Sequence, residues 1–244
     1  METEEKKIHS TVQSLEIGFN VIEIIAESPI PLKFNEIQER SNMTKSNLYK
    51  YLNTLTKIGV VSRDGYTGTF HLGVKLLEYN KKFHAQQDIT TTVTPYIREM
   101  SMDTENSVFL MLPTFNGPLI SKFFSPGQAI NIGGQIGALL PPNSSAGKIL
   151  AAFYRDPVNE EWKKEAENTV NSLELEKALK EKIIFSFEPL EKNISSIAFP
   201  ILDSNDELKC IITVVGFNSN IEFDSNSELA NYCREIQKEI SAIF

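Results

Sequence analysis

Leu48, Leu52, Leu55 and Ile58 recur at the period of an α-helix, and the run stops at Gly59. What surrounds this short stripe constrains the first third of the chain. Ahead of it, across the tight connection Ser41-Asn42-Met43, lies a shorter helical segment. There Asn35 is placed to cap, Gln38 to close a capping box and Ile37 to point inward. Earlier still, Leu15, Phe19, Ile22 and Ile25, widened by Val21 and Ile24, predict a first helix that ends at Ser28-Pro29-Ile30-Pro31. Directly after the stripe, Val60-Val61-Ser62-Arg63 and Thr69-Phe70-His71-Leu72 flank a turn containing Gly65 and Gly68, which predicts a β-hairpin. Three short helices and a hairpin in about 60 residues is the order of a winged helix-turn-helix, in which the third helix is free to enter a major groove.

Charge supports that reading although the whole chain opposes it. The 244 residues carry a net charge of −8. Residues 1–84 hold 11 Lys+Arg against 10 Asp+Glu, and the remainder holds 13 against 22. Ser41 to Arg63 contains Lys45, Lys50, Lys57 and Arg63 and no acid. A local basic surface, rather than overall pI, is what meets phosphates. With 48/52/55/58 turned to the core, the opposite face of the third helix presents Ser46, Lys50, Asn53 and Lys57, and its start adds Lys45, Asn47 and Tyr49. Cations, an amide, hydroxyls and an aromatic ring suit phosphates and base edges. The candidate DNA-binding set is Lys45, Ser46, Asn47, Tyr49, Lys50 and Arg63.

The rest of the chain has a different grain. Helical periodicity resumes after Gly73 and continues to about Thr104, with the polar Gln86-Gln87-Asp88 inside it. This places a domain boundary at 86: residues 1–86 as winged helix-turn-helix plus linker helix, residues 87–244 as a second domain. Ser107–Pro113 and Leu119–Phe124 read as strands about a turn at Asn116-Gly117-Pro118, as does the Gly-rich Ile130–Gly137. Ala146–Tyr154, Asn159–Glu167 and Leu173–Ile184 read as helices, Ser196–Leu202 and Lys209–Phe217 as strands, and Asp224 as the cap of a last amphipathic helix. Paired strands with helices kept apart predict an α+β domain on an antiparallel sheet. No run approaches a membrane span, no secretory segment follows Met1, and Cys210 and Cys233 form no metal or disulfide pattern. A cytoplasmic protein without cofactor or metal is expected.

Ser14 to Leu77 resembles the N-terminal domain of the IclR family of bacterial transcriptional regulators. The resemblance rests on Ser14-Leu15-Glu16-Ile17-Gly18-Phe19, on Thr44-Lys45-Ser46-Asn47-Leu48-Tyr49-Lys50-Tyr51-Leu52, and most specifically on Phe70-His71-Leu72-Gly73-Val74-Lys75-Leu76-Leu77. In the second half, Ser144-Ser145-Ala146-Gly147-Lys148 and Ser196-Ile197-Ala198-Phe199-Pro200 are similar to pieces of that family's effector-binding domain. The resemblance implies a homodimer or tetramer that binds double-stranded operator DNA, a repressor rather than an activator, and answers to a small polar or anionic metabolite. It points to Asn143, Ser144, Ser145, Ala146, Ser186 and Ser196 as effector contacts. This chain departs from the family pattern at Asn193, where a Gly is usual, at Ser196, where some members have Cys, and at Ser186, where some have Asp.

Other functions compete for the same residues. Ser145-x-x-Lys148 has the spacing of a serine nucleophile and its lysine, so a sensor-type enzyme is one rival, although the companion motifs of that chemistry are missing. A winged helix used for protein contact without operator binding is another. At the helix start itself, hydroxyl residues seat an anion on free N–H groups in one reading, while Ser144 simply caps the helix in the other.

Overall fold

The computed structural model describes residues 12–86, 89–126, 135–187 and 190–244. Contacts divide the chain into two compact units, Met1–Gln86 and Gln87–Phe244. Most of the strand expected at Ile130–Gly137 lies outside the described residues; Gln135–Gly137 belong to a turn region.

In the first unit, α1 (Gln13–Ala26), α2 (Phe34–Ser41) and α3 (Lys45–Lys57) precede the hairpin β1 (Val61–Arg63) and β2 (Phe70–Leu72), and α4 (Lys75–Gln86) closes it. The core consists of Val21, Ile24, Ile25, Leu32, Ile37, Leu48, Leu52, Leu55, Val61 and Phe70. Each such side chain contributes roughly 1.5–3 kcal/mol of burial. The stripe on α1 is displaced from expectation: Gly18, Val21, Ile24 and Ile25 face inward, whereas Leu15 and Phe19 remain exposed. Tyr51 of α3 lies against Gly18, so α1 approaches on its small residue rather than on the Leu15–Phe19 side. Ile58 is likewise exposed, because α3 ends at Lys57 and Leu55 is its last core residue.

The cap of α2 sits two residues earlier than expected. The Glu36 carboxylate accepts the Lys33 N–H at 2.6 Å, so Asn35 falls within the helix, and Asn42 ends it at φ 52°. Leu32 exchanges two backbone bonds with Phe70, of 3.0 and 2.7 Å, and so anchors the start of α2 to the hairpin. A side chain at Gly73 would meet the Gly59 carbonyl oxygen at 2.1 Å, which explains the glycine between wing and α4.

The second unit is a five-stranded antiparallel sheet of order β4-β3-β7-β6-β5. Its strands are β3 (Ser107–Thr114), β4 (Gly117–Phe124), β5 (Ile184–Phe187), β6 (Ile194–Leu202) and β7 (Leu208–Phe217). Helices α5 (Ile89–Thr104) and α9 (Glu228–Ser241) cover one face, over Leu110, Phe199, Ile212 and Val214. Helix α6 (Ser145–Phe153), followed by α7 (Glu160–Thr169) and α8 (Ser172–Glu181), covers the other, over Phe109, Met111, Ala198 and Ile211. The period-2 alternation along β3 and β7 supplies both faces.

Two boundaries differ from the sequence reading. Helix α8 stops at Glu181 because Lys182 turns left-handed at φ 52°, and Ile184 opens β5, paired to β6, instead of ending a helix. Ser227, not Asp224, caps α9 by accepting the Ala230 N–H at 3.2 Å; Asp224 accepts from Asn226 in the preceding turn. Among the described residues no helix is long and apolar enough to cross a membrane.

Candidate functional site

Two places bring the singled-out residues together, one in each unit. On α3, Leu48, Leu52 and Leu55 take the buried face, which forces Lys45, Ser46, Asn47, Tyr49 and Lys50 outward, and all five are exposed. Lys45, Tyr49, Asn53 and Lys57 form one wall of a groove whose other wall is Arg63 of the hairpin. Leu52 and Phe70 lie at its base, Phe34 and Asn35 of α2 border it, and among the described residues no acid lines it. Ser46, Asn47 and Lys50 occupy the outer surface of α3, beside the groove rather than in it. The first turn of α3 holds no acid, so the positive end of its dipole faces solvent beside Lys45. The Arg63 guanidinium sits 5.6 Å from the Phe70 ring centroid, which restrains the side chain at the groove wall. Sequence periodicity gave the exposed helix face; the role of Phe34 and Asn35 as a border arises only from tertiary packing.

In the second unit, the start of α6 lies over the sheet and closes a cavity of about 100 Å³. Its walls are apolar: Phe109 and Met111 from β3, Ile120 from β4, Leu140, and Val215 from β7. Ser144, Ser145, Ser196 and Thr213 supply hydroxyl groups, and Glu191 is the one charged lining residue among the described residues. The Ser196 hydroxyl donates to the Ser145 hydroxyl at 2.8 Å, joining α6 to β6 across the cavity.

Ser144 has a different task. Its hydroxyl accepts the Gly147 N–H at 2.9 Å and donates to the Pro141 carbonyl at 2.7 Å, so it caps α6. The amides of Ser145 and Ala146 precede the first intrahelical bonds and point out of the helix start. Gly147 is needed there: a Cβ would come within 2.3 Å of the Pro141 oxygen.

Asn143, Ala146 and Ser186 do not line the cavity. Ser186 is buried on β5 directly across from Ser196, and its hydroxyl has no hydrogen-bond partner among the described residues. Lys148 points away from Ser145 and pairs with Glu174 of α8 at 2.8 Å, which breaks up the serine–lysine pairing that a nucleophile would need. Asn193, where the family pattern has Gly, adopts φ 63°, a conformation asparagine tolerates better than other side chains. The apolar walls carried no chemical signal in the sequence; they were readable only as core.

Comparison with known proteins bears on both sites. A family model described as the IclR helix-turn-helix domain matches residues 14–65, and one described as the bacterial transcriptional regulator IclR C-terminal matches residues 82–242. The chain is 23% identical over 240 residues to the HTH-type transcriptional regulator XynR of Escherichia coli, covering 93% of this chain and 94% of that one. It is also 23% identical to the DNA-binding transcriptional repressor YiaJ of Escherichia coli, covering 98% and 90%. Among solved structures, an IclR homolog of Microbacterium hydrocarbonoxydans complexed with 4-hydroxybenzoate has the same fold, with a TM-score of 0.75 at 18% identity over 93% of this chain and 97% of that one.

Proposed function

Because this chain belongs to the IclR family of DNA-binding bacterial transcriptional regulators, we propose that it is a cytoplasmic repressor whose α3 reads operator DNA and whose α6 cavity takes a small organic acid. The observation that carries the DNA half is the groove between α3 and the hairpin, walled by Lys45, Lys57 and Arg63 and lined by no acid among the described residues. Phosphates gain most where several cations converge and no carboxylate opposes them. A homodimer or tetramer places two such helices about 34–36 Å apart, one turn of duplex. The acidic second unit is repelled by the duplex.

The effector half follows from the chemistry of the cavity. A carboxylate seats against the Ser145 hydroxyl and the free amides at the start of α6, where the helix dipole favours an anion. The body of the ligand packs on Phe109, Met111 and Ile120. A compact aromatic or branched hydroxy acid, the chemical class of 4-hydroxybenzoate, satisfies both ends. Regulation requires that such a ligand bind the DNA-competent and DNA-incompetent arrangements with different affinity.

The test is a selection of duplexes from a random pool by the full chain, repeated with a panel of small carboxylic acids. The reading expects a recurring two-fold symmetric sequence, and at least one acid that changes its retention. Recovery of no enriched duplex contradicts the DNA half; an enriched duplex indifferent to every acid contradicts the effector half.

A further inference from the structure

The α6 cavity is polar in two places that differ in kind. Over Ser196, the Ser145 hydroxyl accepts a hydrogen bond of 2.8 Å and keeps its own proton to donate, beside the free amides at the helix start. That end offers donors. The other end is an acceptor, Glu191, in the turn ahead of β6, where its backbone carbonyl accepts the Ile194 N–H at 3.3 Å. Glu191 is exposed, so it stands where the cavity meets solvent. Among the described residues nothing is hydrogen-bonded or ion-paired to its carboxylate, and no cation lines the cavity. Sheet register separates the two ends. Ser196 pairs with Val215, and Ile194 with Phe217, two residues nearer the start of β6. Glu191 therefore begins beyond a point about 6–7 Å from Ser196, and Ile194 and Val215 line the span with apolar surface.

Resting on the reading that a carboxylate seats at the start of α6, we infer that Glu191 is the specificity-determining residue for the opposite end of the effector. The effector is then bifunctional: a carboxylate joined through a short apolar body to a hydrogen-bond donor, hydroxyl or ammonium. A ligand that fills the cavity strips water from the inner side of the Glu191 carboxylate. An apolar end leaves that charge facing hydrocarbon without a partner, which costs free energy, whereas a donor replaces the lost water. A site with such an unspent acceptor rejects the analogue that lacks the donor. The same charge sets the ligand's direction, since a reversed acid brings two carboxylates together. The span suits a para-substituted benzoate or a five-carbon acid.

Two series of probes vary only at that end: benzoate, 4-hydroxybenzoate and 4-(aminomethyl)benzoate, and pentanoate, 5-hydroxypentanoate and 5-aminopentanoate. Each is titrated calorimetrically into full-length wild type, Glu191→Gln, Glu191→Leu and Ser145→Leu, with thermal melts to verify folding. In at least one series, wild type is expected to bind a donor-bearing acid about tenfold more tightly than the unsubstituted one, the worth of one bond to a charged group. Glu191→Leu is expected to erase that preference and to bind the unsubstituted acid more tightly than wild type does, because a repelling charge is gone. Glu191→Gln keeps an acceptor without the charge, so it is expected to retain preference for the hydroxyl and lose preference for the ammonium. Suppose instead that wild type and Glu191→Leu bind the unsubstituted acid equally and rank both series alike. Glu191 is then a solvated rim charge and its role is wrong, while loss of binding in Ser145→Leu leaves the carboxylate reading standing. If no member of either series binds wild type or Glu191→Leu, the carboxylate reading fails and this inference with it.

Discussion

Ser145 stands where the start of α6, the Ser196 hydroxyl and an apolar wall meet, in a space of about 100 Å³. A leucine there fills the space by volume alone. Ser145→Leu is therefore expected to leave duplex affinity intact and abolish the response to the active acid, measured by calorimetric titration of ligand into both proteins; equal ligand affinities would place the effector elsewhere. Asn193 yields a stability prediction. At φ 63° a β-branched residue is strained by about 1–2 kcal/mol, so Asn193→Val should lower the melting temperature in a thermal melt. Asp203 adds a dependence on pH. The Lys209 ammonium and then the Glu207 N–H pull its carboxyl down to about 2 from an ordinary 3.8. Its contribution to stability is full above the ordinary value and fades as pH falls toward 2. Asp203→Asn should flatten the acid limb of the stability curve in that window, checked by denaturant melts between pH 5 and pH 2, within about the range over which such a group titrates. At this scale the serines at the α6 start were legible as polar groups at a helix N-terminus. Ser144 as a cap was one of two open readings, and its bonds to Pro141 and Gly147 show that it caps α6, which leaves the seating of an anion at the same helix start as a proposal. The partners Phe109, Met111 and Val215 were not legible, because a strand residue lining a cavity has the same sequence signature as one buried in core.

Elements show where periodicity is sufficient and where it is not. Helix α3 follows its stripe because Leu48, Leu52 and Leu55 have a single core to face. Helix α1 carries two apolar lines, and only packing against Tyr51 through Gly18 decides which is buried. The β5 strand was hidden at the end of α8, since Ile183 and Ile184 continue an apolar helical period; the left-handed Lys182 that separates them has no strong sequence mark. Helices α6 and α8 are tied by Lys148, nearly buried, and Glu174. Lys148→Ala is expected to cost about 1 kcal/mol of stability, since Glu174 is partly exposed, without changing ligand affinity, since the ammonium does not line the cavity. Thermal melts and ligand titration check the two halves of that statement, and a loss of affinity at unchanged stability would return Lys148 to the site.

At the scale of the molecule, the units Met1–Gln86 and Gln87–Phe244 have separate cores and opposite charge balance. A fragment of residues 88–244 is accordingly expected to fold cooperatively, bind the acid and ignore DNA. Fold class was legible from element order: three helices and a hairpin, then paired strands with helices apart. The layering of α5 and α9 against one sheet face and α6 to α8 against the other was not, because strand order depends on contacts far apart in sequence. The central claim is that the exposed face of α3 meets phosphate. The most direct measurement is the salt dependence of duplex binding by the full chain and by Lys50→Ala. The account predicts a linear fall of log affinity with log salt, and a slope smaller by about 1 in the variant, the signature of one lost phosphate contact. An unchanged slope and affinity in a folded Lys50→Ala protein would contradict it.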